Sequence, residues 1–197
     1  MKIILAALNA KYIHMSLALR YLKAYSQREF ENIELAEYTI KDPALTIATD
    51  LYRRVPDVVG FSCYIWNIEE TIAVVRILRK VLPQVRIVLG GPEVSYDTAE
   101  WLERIPEADF IVMGEGEETF HHLLQTLREG GGKFHFVFGL AYRGRDGEPV
   151  LNPGRPKAVL DELPSPHYFA EDVPQLPTRV VYFETSRGCP FSCQFCL

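Results

Sequence analysis

The sequence contains no apolar run that could cross a membrane. A membrane-spanning helix needs about 18 or more consecutive apolar residues, and no segment of the 197-residue chain is that long. The first residues also lack the features of an export signal, because their apolar part is short and no small-residue cleavage site follows it. These absences predict a cytoplasmic protein with no membrane partner.

Positive charge is also in short supply. The chain has 21 Lys and Arg residues against 26 Asp and Glu residues, which gives a net charge of -5. No segment concentrates Lys and Arg, so nothing in the sequence would attract a polyanion. We therefore expect no nucleic-acid partner.

Cysteine is scarce, and its distribution is uneven. Three of the four cysteines lie within the last nine positions, at Cys189, Cys193 and Cys196. In a reducing compartment such close spacing indicates metal ligation and not disulfide formation. Cys63 stands alone in an apolar stretch, where we expect a buried core thiol.

The three clustered cysteines form the pattern C-x-x-x-C-x-x-C. Three thiolates on one short loop can hold three corners of a [4Fe-4S] cluster and leave the fourth iron without a protein ligand. A structural zinc site uses four protein ligands, and the sequence offers no fourth one nearby. The spacing favours an iron-sulfur cluster at Cys189, Cys193 and Cys196, with zinc or purely structural thiols as the alternative.

Up to about residue 129, short β-rich runs alternate with helical patterns. The strand candidates are residues 2–8, 33–38, 57–62, 85–90 and 109–114, and the helix candidates are residues 16–27, 44–54, 68–82, 95–105 and 117–129. Four of the five strand candidates are almost continuously apolar, which is typical of strands buried on both faces. The alternation predicts an α/β fold with a doubly wound, five-stranded parallel sheet of the flavodoxin-like or Rossmann-like kind.

The pattern changes after residue 132, so we divide the chain there. Residues 133–151 alternate around a Gly-Arg-Asp-Gly-Glu turn and predict a β-hairpin. Residues 152–177 hold six prolines in 26 positions and predict an extended connector that follows the hairpin within residues 133–177. Residues 178–189 predict a new buried strand that runs into the cysteine loop.

The loops that follow the strands are the places to look for a ligand, because open parallel sheets bind ligands beyond the carboxyl ends of their strands. Gly90 and Gly91 follow the fourth strand and would let the backbone approach a bulky ligand closely. Gly114 and Gly116 follow the fifth strand beside a helix N-terminus with free N–H donors. These glycines predict the site of a large cofactor. The alternative is that they only form the tight turns that every βα unit needs.

Polar and aromatic residues in the same loops are further candidates. Asn9 and His14 follow the first strand, Ser62 ends the third and Tyr64 follows it, and Glu115 lies between the two glycines after the fifth. A histidine here can ligate a metal or can be an ordinary polar loop residue. Tyr64, with Trp66, can form the wall of a flat ligand or pack on neighbouring helices.

Two common ligand classes for this fold are not indicated. The G-x-G-x-x-G pattern of dinucleotide sites is absent after the first strand, and "GEGEET" after the fifth lacks the third glycine. A phosphoacceptor domain would carry paired acidic residues at the end of the first strand, where this chain has Leu8 and Asn9. Asn67, with Glu70 three residues later, predicts a capping box at the start of the third helix.

The segments "RGCPFSCQFC", "VVGFS", "VLGGPEVS" and "DFIVMGEGEETF" resemble those of cobalamin-dependent radical S-adenosylmethionine enzymes. Residues 1–132 resemble that family's cobalamin-binding domain, and residues 178–197 resemble the start of its radical SAM barrel, truncated after the cluster motif. The resemblance covers nearly the whole chain. It implies cobalamin at the loop residues named above and S-adenosylmethionine on the open iron of the cluster.

The resemblance also implies a function for the whole protein. It implies radical methyl transfer or cyclisation on an unactivated carbon of a small-molecule or tetrapyrrole-like substrate, with a flavodoxin or ferredoxin as electron donor. The 197 residues themselves would bind cobalamin without catalysis, and the alternative is a flavodoxin-like regulatory domain without cobalamin. Tyr12 and Leu17 stand where the D-x-H-x-x-G motif of other cobalamin proteins has Asp and Gly, so the resemblance implies cobalamin with its own base detached.

Overall fold

A single sheet of seven strands forms the centre of the molecule in the computed structural model, which describes residues 1–167 and 169–189 together with Phe191 and Gln194. The strands lie in the order β2-β1-β3-β4-β5-β6-β7. Their bounds are β1 (Ile3–Asn9), β2 (Ile33–Thr39), β3 (Val58–Ser62), β4 (Arg86–Gly90), β5 (Phe110–Val112), β6 (Leu140–Arg143) and β7 (Pro149–Leu151). The first five are parallel, with Ile3 of β1 opposite Ile33 of β2 and Val58 of β3.

The described residues form six α-helices, of which the first five connect the parallel strands and the sixth leads from β5 to β6. They are α1 (Leu17–Ser26), α2 (Ala44–Arg53), α3 (Ile68–Val81), α4 (Pro92–Ser95), α5 (Thr98–Arg104) and α6 (Glu117–Arg128). Of the helix predicted over residues 95–105, Thr98–Arg104 is helical as α5, and Asp97, with a left-handed φ of 50°, separates it from the short α4 that ends at Ser95. Within the described part of the chain, no helix combines the length and the apolar character needed to cross a membrane.

The doubly wound parallel arrangement is confirmed, but the prediction of five strands was wrong. The hairpin predicted over residues 133–151 forms as β6 and β7, which extend the sheet beyond β5 in antiparallel fashion. It begins later than predicted, because residues Phe134–Phe136 form a short 3-10 turn first. Without β6, the buried strand β5 would be an edge with unpaired backbone groups, so the added hairpin completes its hydrogen bonding.

Side chains alternate along each strand and so divide the core into two layers. On β1, Ile4, Ala6 and Leu8 pack in the layer that contains α2 and α3. Ile3, Leu5 and Ala7 pack on the opposite face with apolar residues of α1 and α6. The helices therefore cover both faces, which is the reason the central strands read as continuously apolar.

The described part of residues 152–177 forms a connector without a strand or an α-helix; a 3-10 turn at Leu160–Glu162 and hydrogen-bonded turns over residues 170–175 lie within it, and the 3-10 turn Leu176–Thr178 ends it. Arg20 of α1 binds this connector to the domain. Its guanidinium donates to both carboxylate oxygens of Asp172 at 2.8 and 2.7 Å and to Glu37 of β2 at 2.8 Å. Because Arg20 is only 4% exposed, these two carboxylates supply the charge that its burial requires.

The buried strand predicted over residues 178–189 is not formed. Val180 makes one isolated bridge to His14, through a 2.7 Å hydrogen bond from its N–H to the carbonyl of Ile13. Residues 181–184 are exposed, and Phe183 is 74% exposed. A strand needs a neighbouring strand along its length, and the described residues offer this segment only the loop after β1.

We predict that Asp172→Ala destabilises the protein by about 3 kcal/mol, because it leaves the buried Arg20 guanidinium with one of its two carboxylate partners. Chemical denaturation measures this change in the free energy of unfolding. Glu171→Ala is the matched control. It removes the ion pair between Glu171 and Lys23, in which the Glu171 side chain is 49% exposed, and should lower the free energy of unfolding by less than about 1 kcal/mol. Equal losses of stability for the two variants would contradict the conclusion that the Arg20–Asp172 ion pair attaches the connector to the domain.

Candidate cofactor-binding site

Small residues on one face of the sheet leave a cavity at the carboxyl ends of the strands. Alternation places Gly60 and Ser62 of β3 and Gly90 of β4 on the face that α1 and α6 cover. These positions carry little or no side chain, and all three line the space between the sheet and the helices. The resulting cavity has a volume of about 1050 Å³.

All nine loop residues predicted to bind a cofactor line this one cavity. They are Asn9, His14, Ser62, Tyr64, Gly90, Gly91, Gly114, Glu115 and Gly116. They come from the ends of four different strands, and the parallel topology brings those ends to one edge of the sheet. Their position together is a finding, whereas their contact with a cofactor stays a prediction.

The inner end of the cavity is apolar. Leu5, Val88 and Val112 of the sheet and Phe120 of α6 line it around Gly60. A Cβ atom on Gly60 would lie 3.1 Å from the Leu5 side chain, so even one added methyl group would crowd this recess. Gly60 is not among the residues that the sequence predicted for the site, although a glycine inside a buried strand indicates close approach by another group.

Aromatic rings form part of the rim. Tyr64 and Trp66 stack on each other with ring centroids 4.4 Å apart and planes 9° from parallel, and both line the cavity. Burial raises the pKa of the Tyr64 hydroxyl above its usual value. The pair therefore presents a rigid, neutral surface to the cavity mouth. Of the two roles considered for these rings, the structure favours forming a wall of the ligand site over packing on neighbouring helices.

The predicted glycines differ in what they do. Gly91 has a φ of 112°, and a Cβ there would lie only 2.5 Å from the carbonyl oxygen of Cys63, so this glycine is needed for the turn itself. Gly114, at φ 68°, has no atom within 4 Å of an added Cβ and leaves open space. Ser95 joins the two loops: its hydroxyl donates to the Gly91 carbonyl at 2.8 Å and accepts from the Gly114 N–H at 3.0 Å.

Ser62 carries a polar atom that the fold leaves without a partner. Its hydroxyl is buried in the cavity wall and has no hydrogen bond to any described residue. An unpaired buried hydroxyl costs free energy, and a ligand with a polar group in the cavity would remove that cost. The cavity thus combines an apolar recess with one unsatisfied polar group, which fits a large amphipathic cofactor.

Asn67 holds the cavity loops in place, and the sequence reading assigned it a different role. Its side chain makes no capping bond to α3. Instead, its amide nitrogen donates to the carbonyls of Leu8 at 3.1 Å and Ser62 at 3.0 Å, and its amide oxygen accepts from the Tyr64 N–H at 2.8 Å. With 1% of its surface exposed, Asn67 ties the end of β1 to the end of β3.

His14 lies in the cavity wall with one ring nitrogen already engaged. Its Nδ1 lies 2.5 Å from the hydroxyl of Tyr182, and its carbonyl accepts from the side chain of Asn9 at 3.0 Å. Asn9 also donates to Glu37 at 3.2 Å, so the loop after β1 is held on both sides. Ligation of a metal by His14 stays a prediction.

A segment that the sequence reading did not assign to the site closes the cavity on one side. We call residues 182–188 the strap. Six of them line the cavity, and these are Tyr182, Phe183, Glu184, Ser186, Arg187 and Gly188. Within the described residues, the strap therefore connects the loop after β1 to the start of α6.

Three of the four cysteines follow the strap in the sequence. Cys189 is exposed, whereas Cys193 and Cys196 lie outside the described residues, so the three-thiolate cluster site stays a prediction. Among the residues that are described, no three His, Cys, Asp or Glu side chains are placed to hold a metal ion. Cys63 is fully buried, as expected for a core thiol, and burial raises its pKa to about 12.

Comparison with known families gives a match over the whole parallel part of the sheet. The B12 binding domain family matches residues 3–124, which is more than half of the chain. The matched range contains all five parallel strands and all nine predicted cavity residues.

Two curated relatives extend the similarity. The chain is 31% identical to the cobalamin-dependent radical SAM methyltransferase TokK of Streptomyces tokunonensis, with 99% of this chain and 30% of the relative covered. It is 32% identical to an anaerobic magnesium-protoporphyrin IX monomethyl ester cyclase of Rubrivivax gelatinosus, with 72% of this chain and 27% of the relative covered. The chain therefore spans less than a third of the length of either relative.

A solved structure shows the same fold. The cobalamin-dependent S-adenosylmethionine radical enzyme OxsB, with aqua-cobalamin and S-adenosylmethionine bound, matches 98% of this chain and 28% of its own with a TM-score of 0.80. The two sequences are 22% identical. The likeness establishes the fold of this chain.

We predict that Asn67→Ala destabilises the protein by about 2 kcal/mol, because it leaves two carbonyls and one N–H buried without their partner. Urea unfolding measures the loss. Asn32→Ala changes an exposed asparagine and should alter the free energy of unfolding by less than about 0.5 kcal/mol. A loss no larger than that of the control would show that the loops after β1 and β3 do not depend on Asn67.

Proposed function

The chain belongs to the family of B12-binding domains, and from this premise we propose that the cavity at the carboxyl edge of its sheet is where cobalamin binds. The observation that carries the proposal is the cavity of about 1050 Å³ at the carboxyl edge of the sheet, with an apolar inner recess and the unpaired Ser62 hydroxyl buried in its wall. A fold without a ligand here would gain stability by filling that recess with apolar side chains. The sequence instead keeps the space and buries an unpaired hydroxyl in its wall.

Each part of the cavity would hold a different part of the cofactor. The apolar recess around Gly60, Val88 and Phe120 suits a flat, weakly polar group. Ser62 offers a hydrogen bond at the wall of the recess, and the open backbone at Gly114 admits bulk beside the start of α6. The stacked Tyr64 and Trp66 rings would shield the rim from water.

Bound cobalamin supplies a cobalt centre that can carry a methyl group, while the protein positions the cofactor and limits its exposure. The loop residues do this from rigid supports. Asn67 fixes the loops after β1 and β3, and Ser95 fixes those after β4 and β5. The chain's own contribution is thus a preformed pocket. The loops that would contact the cofactor are fixed by the hydrogen bonds of Asn67 and Ser95.

The whole protein, of which this chain would be the cobalamin-binding part, is proposed to transfer a methyl group to an unactivated carbon by radical chemistry. The similarity to a cobalamin-dependent radical SAM methyltransferase over 99% of the chain supports this. Cyclisation is the second candidate, supported by the similarity to the cyclase. The [4Fe-4S] cluster on Cys189, Cys193 and Cys196, its S-adenosylmethionine and a ferredoxin- or flavodoxin-like electron donor belong to the same proposal.

Two further points follow within this proposal. An iron-sulfur cluster on free thiolates needs a reducing compartment, which supports a cytoplasmic location. The alternative of a flavodoxin-like regulatory domain without cobalamin is not favoured, because the family match covers the whole parallel sheet. The end of β1 also lacks the acidic pair of a phosphoacceptor, since Leu8 is buried in the core and the Asn9 amide is engaged by the chain.

The 197-residue chain should bind hydroxocobalamin and retain it. We expect the protein to elute from gel filtration with the visible spectrum of the cofactor, at about one equivalent per chain. Titration followed by the same spectrum gives the dissociation constant. Colourless protein after mixing with excess hydroxocobalamin would overturn the proposed function.

Replacement of Ser62 tests the site within the cavity. We predict that Ser62→Val weakens hydroxocobalamin binding by about tenfold or more, equivalent to about 1.4 kcal/mol, because two methyl groups take the place of a hydrogen-bonding hydroxyl. The melting temperature should stay the same or rise, since the variant removes an unpaired buried hydroxyl.

Thr71→Val is the matched control for Ser62→Val. Thr71 lies on α3 outside the cavity, and its buried hydroxyl also lacks a partner among the described residues. This variant should leave hydroxocobalamin binding unchanged. If both variants bind as the wild type does, Ser62 does not contact the cofactor.

A further inference from the structure

Arg187 is the most heavily constrained residue of the strap. Its Nη2 lies 2.7 Å from Glu117 Oε1 at the start of α6, and its Nε donates to Glu184 at 2.9 Å. The guanidinium also lies over the ring of Tyr21 in α1, with 4.7 Å between its central carbon and the ring centroid. An arginine with two carboxylates and an aromatic face as partners has little freedom to move.

Glu117 gives this contact its strength. The side chain is 6% exposed, so its negative charge lies largely out of water and needs a cation close by. Arg187 is its ion-pair partner among the described residues. Glu115, which also lines the cavity, lies 3.8 Å from the same guanidinium, so the loop after β5 surrounds Arg187 with negative charge.

The strap has a second, weaker attachment at its other end. Tyr182 shares a hydrogen bond with His14, and this pair is exposed. Between the two attachments, Phe183, Glu184 and Ser186 form the outer wall of the cavity. The strap therefore crosses the cavity from the loop after β1 to α6, with its firm attachment at the α6 end.

The chain turns sharply immediately after Arg187. Gly188 has a φ of 78°, and a Cβ there would lie 2.7 Å from Lys157 Nζ. The next residue is Cys189, the first cysteine of the motif. The place and direction in which the chain enters the cysteine motif are thus set by the contact between Arg187 and α6 and by the turn at Gly188.

We propose that Arg187 is a positioning residue: through Glu117 it fixes the strap as a wall of the cobalamin cavity and fixes the point at which the cysteine motif begins. The inference rests on the proposed function for the identity of the ligand, but the attachment itself does not depend on it. Since one ion pair serves both the cavity wall and the entry to the motif, loss of the pair should loosen the strap and weaken cobalamin binding together.

The test measures the order of the strap directly, with NMR relaxation of the ¹⁵N-labelled 197-residue chain. In the wild type, the amides of residues 183–188 should have order parameters close to those of the sheet, about 0.85. Arg187→Ala should lower them below about 0.6 while the signals of the sheet stay in place. Arg187→Lys keeps the positive charge but lacks the planar guanidinium. Its order parameters for residues 183–188 should lie between those of the wild type and those of Arg187→Ala.

Glu117→Gln removes the same ion pair from the α6 side and serves as a second variant if Arg187→Ala does not fold. Arg155→Ala is the matched control, because it breaks the neighbouring pair of Arg155 with Glu118, which lies outside the cavity lining. The control should leave the strap ordered. A strap that stays ordered without the Arg187 pair, or that loosens equally in the control, would overturn the proposal.

Hydroxocobalamin titration adds the functional readout. Arg187→Ala should raise the dissociation constant by about fivefold, and Arg155→Ala should leave it unchanged. If the wild type does not bind hydroxocobalamin at all, the proposed function fails while the relaxation experiment still decides the role of Arg187. If binding is normal in Arg187→Ala although the strap is loose, the strap is not part of the cofactor site.

Discussion

The amide of Asn67 joins the two strand ends between which the cavity opens. The connections after β1 and β3 lead to opposite sides of the sheet, which creates a gap at their carboxyl ends. One buried side chain bonds to the carbonyls of Leu8 and Ser62 and to the N–H of Tyr64. The backbone groups at the gap are thus satisfied from within, and the face toward the ligand stays free for binding.

The space itself comes from a strict alternation of side chains. In strands with helices on both faces, successive side chains point to alternate faces of the sheet. Gly60 and Ser62 of β3 and Gly90 of β4 lie on the same face. The other layer of the same strands receives Val59, Phe61 and Leu89, which are fully packed. The sheet is therefore close-packed on the side of α2 and α3 and hollow near its carboxyl edge on the side of α1 and α6.

Two buried or half-buried arginines attach the later part of the chain to this domain. Arg20 holds the connector through Asp172, and Arg187 belongs to the strap and holds it to Glu117. In both cases a guanidinium fork meets carboxylates from separate elements, which gives fixed geometry where little apolar surface is available. The connector and the strap are ordered by a few charged contacts, whereas the sheet is ordered by its core.

Apolar runs, helix signals and turn glycines in the sequence were sufficient to predict the five βα units, the hairpin and the edge of the sheet where the cavity lies, because these features depend on contacts between near neighbours in the chain. The place of β6 beside β5, the failure of residues 178–189 to form a strand and the true bonds of Asn67 depend on partners distant in sequence. Ser62 and Gly91 show the difference within the site. Both stood out in the sequence, but only the tertiary structure decided that Gly91 serves the turn against Cys63 while the Ser62 hydroxyl is buried in the cavity wall without a partner among the described residues. Long-range packing sets which polar groups are satisfied, and a linear pattern carries no record of it.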